Sequence, residues 1–93
     1  MATSRIHPER YKRIFFTLME DALHSRVAIL FQTKAAARAY RLRLYGAREA
    51  LSKYPEFNSS LSKHAHKLTF RIQPSSINPE KYYLYLQLKA QYL

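Results

Sequence analysis

Residues 26–53, RVAILFQTKAAARAYRLRLYGAREALSK, change periodicity at one threonine. Before Thr33, Val27, Ile29 and Phe31 alternate with Ala28 and Leu30, which predicts a strand over 26–32 with both faces fairly apolar. Such a strand is expected at the centre of a sheet or at a dimer interface. Thr33 suits a helix N-cap, and the residues after it follow the helical period. Lys34, Arg38, Arg41, Tyr45 and Arg48 gather on one side, with Ala36, Ala39, Tyr40, Leu44, Ala47, Ala50 and Leu51 roughly opposite. The helix should end near Lys53, because Pro55 disfavours helical backbone at Tyr54. It would pack through its small residues and present arginines outward.

Outward from this stretch, residues 8–23 read as a first helix. Pro8 suits its first turn, and Tyr11, Ile14, Phe15, Leu18 and Ala22 form a helical apolar stripe. Residues 55–62 are polar and turn-prone. In residues 64–73, HAHKLTFRIQ, Leu68, Phe70 and Ile72 alternate with Lys67, Thr69, Arg71 and Gln73. Residues 74–80, PSSINPE, read as a loop. In residues 81–89, KYYLYLQLK, Leu84, Leu86 and Leu88 alternate with Tyr83, Tyr85, Gln87 and Lys89. Tyr82 shares the leucine parity and should be half-buried.

The order is α-β-α-β-β, which predicts one α+β domain over residues 1–93. Its architecture would be a two-layer sandwich with a three-stranded sheet and a C-terminal antiparallel hairpin. If both helices cover one sheet face, the other face is polar, basic and aromatic.

Composition narrows the function. The 93 residues are 47% hydrophobic and 24% charged, the balance of a folded domain. With no cysteine, disulfides and thiolate metal sites are excluded, and a cytoplasmic location (the host's, if the source is viral) is expected. The single glycine, Gly46, excludes a glycine-rich phosphate loop. No apolar run approaches the roughly 20 residues of a membrane helix, and MATSRIHPER lacks the apolar stretch of a secretory signal.

Formal net charge is +10, and residues 26–53 hold seven bases and one acid. That imbalance points to nucleic acid or, less often, to an anionic membrane. The alanines of the basic helix stand where membrane-surface helices carry large apolar side chains, so no membrane partner is expected.

Two surfaces are candidates. On the helix, Lys34, Arg38, Arg41 and Arg48 would contact phosphates, and Tyr45 would stack on a base or bond to a phosphate. On the open sheet face, Tyr83 and Tyr85 beside Lys67, Arg71 and Lys89 have the composition of a base-stacking platform. Tyrosine and threonine also favour strands on their own account, which gives that face an ordinary cross-strand explanation. Arg43 falls on the small-residue side and is expected in an ion pair with Glu20, Asp21 or another acid.

His64 and His66 would share one strand face, a spacing able to ligate a metal. A His-hydrophobe-His pair with a nearby tyrosine resembles the centre of rolling-circle nicking enzymes, but a third ligand and a helix-borne tyrosine after the motif are lacking. The pair reads instead as the start of an exposed basic strand. The six acids form no acid–base pair and no nucleophile–base set, so neither catalysis, a cofactor nor a metal is expected.

These features predict a non-catalytic nucleic-acid-binding homodimer, for DNA ahead of RNA, of the phage or plasmid accessory type. The alternative is an interaction module or small inhibitor that binds an acidic partner protein.

Overall fold

The computed structural model describes residues 7–93. The chain forms α1 (Arg13–Ala22), β1 (Val27–Phe31), α2 (Lys34–Lys53), α3 (Ser59–His64), β2 (Leu68–Pro74) and β3 (Tyr82–Leu88), joined by short 3-10 turns. The three strands make one antiparallel sheet in the order β1-β3-β2. The fold is the α+β two-layer arrangement expected, with the hairpin at its C-terminal end.

One core unites the layers. Phe15, Phe16, Met19 and Ala22 of α1 and Leu44, Ala47 and Leu51 of α2 meet Leu68, Phe70, Leu84 and Leu86 of the sheet. Leu61 of α3 and Ala65 close one end. These sheet residues share one parity, so both long helices cover the same face and the other face stays open. Burying each such leucine contributes about 1.5–3 kcal/mol.

Thr33 caps α2 as expected, its Oγ1 accepting from the Ala36 N–H at 3.1 Å. The helix seats on Leu44 and Leu51, one side two turns apart, and buries Ala37 with them. Ala36 and Ala39 are therefore exposed, contrary to the angular reading. The alanine arc is wider than the sheet contact, and the bulky leucines fix the rotation.

Three features differ from expectation. The first helix is broken. Pro8–Arg10 is a 3-10 turn, and Tyr11 and Lys12 have extended backbone before α1 begins at Arg13. β1 is an edge strand rather than a central one. β3 takes the centre because it pairs with β1 on one side and with its hairpin partner β2 on the other. The open face of β1 is consequently uncovered, and Leu30 is 46% exposed.

Finally, residues 64–67 are not strand. Asn58 Oδ1 accepts from the Leu61 N–H at 3.1 Å and starts α3, which ends at His64. A 3-10 turn, Ala65–Lys67, then leads into β2.

The hairpin loop closes without glycine. The buried Ser75 Oγ accepts from the Ile77 and Asn78 N–H groups, both at 3.2 Å. Asn78 Oδ1 accepts from the Glu80 N–H at 3.2 Å. These side-chain oxygens take the place of carbonyl acceptors and hold the turn in ordinary backbone conformations.

Candidate nucleic-acid interface

The basic border of α2 lies along β2. Tyr45 rests against Phe70 of β2, ring centroids 5.3 Å apart. At the helix start, the Lys34 ammonium lies 6.0 Å from the Tyr82 ring centre. Between these points Arg38 is exposed and Arg41 half-buried, while Tyr45 keeps 40% of its surface open.

Among the described residues, an ion pair joins Lys53 to Glu49 at 3.8 Å, and His7 Nδ1 pairs with Glu9 by accepting its N–H at 3.2 Å, 3.9 Å from Oε1. Neither pair involves Lys34, Arg38, Arg41 or Arg43. The ion pair expected between Arg43 and Glu20, Asp21 or another acid is not formed among the described residues, and Glu20 Oε2 instead accepts from Asn58 Nδ2 at 3.0 Å. Arg43 instead borders the start of α1.

Arg48 has a different environment from the other cations. Its Nη1 donates to the Leu68 carbonyl at 2.7 Å and to the Ala65 carbonyl at 3.4 Å. The guanidinium lies 4.7 Å from the Phe70 ring centre and 5.4 Å from that of Tyr45. Burial lowers its pKa from the usual arginine value, with Tyr45 opposing the shift. Arg48 thus ties α2 to the start of β2, and the border residues whose side chains make no hydrogen bond among the described residues are Lys34, Arg38, Arg41 and Tyr45.

The open sheet face carries the tyrosines at its centre. Tyr83 and Tyr85 stack on each other, centroids 5.7 Å apart and planes 27° apart. In register, Tyr85 is flanked by Ala28 and Arg71, and Tyr83 by Leu30 and Gln73. The Arg26 guanidinium covers Tyr85 at 4.7 Å from the ring centre. Arg26 falls within the strand expected over 26–32, but nothing local marks it as part of a site; only the pairing of β1 with β3 brings it to Tyr85.

Lys67 is absent from this face. It lies in the 3-10 turn, its ammonium 5.6 Å from the Tyr92 ring centre, in a hollow shared with His24 and His64. Lys89 follows β3 and is exposed, with its N–H donating to the Lys67 carbonyl at 2.8 Å.

The histidine pair is likewise divided. His64 ends α3, and His66 turns its ring edge-on to Tyr92 at 6.0 Å. Among the described residues no three His, Asp or Glu side chains converge to hold a metal ion.

The ten residues expected at the site therefore do not form one surface. The α2 set belongs to the helical layer and the tyrosine pair to the open face of the sheet. No helix among the described residues is long and apolar enough to cross a membrane. Comparison with protein-family models, with curated proteins and with solved structures gave no match.

Proposed function

We propose that this chain is a non-catalytic nucleic-acid-binding protein whose primary surface is the α2 border Lys34, Arg38, Arg41 and Tyr45, with duplex DNA the favoured ligand. The observation that carries this reading is the absence, among the described residues, of any ion pair to these three cations. They stand on one rigid helix, and phosphates neutralised by them would release counterions. Arg48 supports this surface by fixing the helix rather than by reaching phosphate. The open face, with Tyr83, Tyr85, Arg26 and Arg71, is the secondary surface and suits a single strand, whose bases are free to stack.

A homodimer through β1 fits the same reading. This edge strand, VAILF, carries neither charge nor proline, the usual guards against strand pairing.

Fluorescence anisotropy with labelled single- and double-stranded oligonucleotides across a salt series tests the proposal. Binding should be strongest to duplex at low salt and should fall steeply as salt rises. Absence of binding to either form at low salt would contradict it.

One observation favours an acidic protein partner instead: Leu42, on the outward ridge of α2, is 69% exposed. A stable complex with a protein partner that survives nuclease treatment, together with no oligonucleotide binding, would establish that alternative.

A further inference from the structure

Tyr40, Arg43 and Gly46 recur at three-residue intervals on α2 and face the start of α1, away from the border described above. At Gly46 the Tyr11 hydroxyl comes so close that a Cβ there would stand 2.5 Å from its oxygen. The only glycine in the chain thus admits the Tyr11 ring against the helix. Tyr11 lies in the extended break between the 3-10 turn and α1, and its neighbours Arg10 and Lys12 border the same hollow.

The result is a hollow of about 490 Å³ bordered by Arg10, Lys12, Arg43, Tyr11, Phe15 and Tyr40. Its volume is within the roughly 300–1,000 Å³ typical of small-ligand sites. The buried Phe15 packs edge to face against the half-buried Tyr40, centroids 5.1 Å apart, and the pair backs the apolar side of the hollow.

Charge around this hollow is uncompensated. Three cations line it and no carboxylate does. None of the three takes part in an ion pair among the described residues. No acid stands in the first turn of α1 to offset them. Like charges gathered at one concavity repel one another, and an anion seated among them relieves that repulsion. Guanidinium and ammonium groups beside aromatic rings in one hollow match a phosphate joined to a flat ring system.

We propose that this hollow is a nucleotide site: Arg10, Lys12 and Arg43 hold the phosphate, and Phe15 and Tyr40 support the base. The site stands apart from the Lys34–Arg38–Arg41 border and does not depend on its role.

Calorimetric titration with adenosine 5′-monophosphate, adenosine and inorganic phosphate tests it. The monophosphate should bind saturably and more tightly than either fragment. Arg43→Ala, a change at an exposed position, should weaken that binding by about tenfold or more. Arg38→Ala should leave it unchanged and so separates this site from the α2 border.

Oligonucleotides with a 5′-phosphate or a 5′-hydroxyl then distinguish the source. An Arg43-dependent preference for the phosphorylated strand identifies a strand terminus as ligand; monophosphate binding without that preference identifies a free nucleotide. No saturable binding of the monophosphate, equal binding of inorganic phosphate or adenosine, or full affinity in Arg43→Ala would overturn the proposal.

Discussion

Arg48 donates to the Leu68 carbonyl at 2.7 Å across the seam between α2 and β2, with its guanidinium over the Phe70 ring. A cation on a basic helix face thus acts as a strut. Arg48→Met keeps much of the apolar stem and leaves the carbonyl without its charged donor. It should cost about 1.5–3 kcal/mol in chemical denaturation, whereas Arg38→Ala, at an exposed position, should stay within about 0.5 kcal/mol of wild type. Equal stability of the two variants would contradict the strut.

Gly46 gives a prediction of sign. In a helix interior, glycine to alanine ordinarily stabilises by about 1 kcal/mol. Here the added methyl would meet the Tyr11 hydroxyl oxygen at 2.5 Å and a ring carbon at 3.2 Å. Gly46→Ala should therefore fail to stabilise the wild-type chain. In a Tyr11→Ala background the same change should stabilise by about 1 kcal/mol. A double-mutant cycle on melting curves measures this coupling, and additive effects would contradict the contact.

In the hairpin loop, two N–H groups depend on one hydroxyl. Ser75→Ala leaves the Ile77 and Asn78 amides without that acceptor and should cost about 1–3 kcal/mol. Amide exchange at Ile77 and Asn78 should rise in the variant. Unchanged exchange there would show that the hydroxyl does not hold the turn.

The two nucleic-acid surfaces should respond differently to substitution. Tyr85→Ala removes the centre of the open sheet face and should weaken single-strand binding by about 1–3 kcal/mol, with duplex affinity little altered. Competition titrations with both forms measure this. Loss of duplex binding in Tyr85→Ala would move the primary surface from α2 to the sheet.

Much of this architecture was legible in the sequence because periodicity reports local geometry. Thr33 announced the start of α2, and the leucine parity of β3 announced its buried face. Strand order was not legible: an apolar run such as VAILF looks the same at a sheet centre as at an edge, and only pairing decides. The break at Tyr11 was hidden as well, because the apolar stripe continues through it, and the contact its ring makes there is with Gly46, 35 positions away.

The candidate site divides in the same way. Helical angles placed Lys34, Arg38 and Arg41 together, since they belong to one element. They could not separate the anchored Arg48 from its neighbours, because its acceptors, the carbonyls of Ala65 and Leu68, come from another part of the chain. Lys67 kept the strand parity in sequence but lies in a 3-10 turn, which takes it off the sheet face.

The central claim is that Lys34, Arg38 and Arg41 neutralise phosphates. The most direct measurement is the slope of log affinity for a DNA duplex against log salt, for wild type and for Arg38→Ala/Arg41→Ala. Each phosphate contact contributes about −0.9 to that slope. The double variant should therefore bind more weakly at low salt with a slope shallower by about 1.8. An unchanged slope and affinity in the double variant would contradict the account.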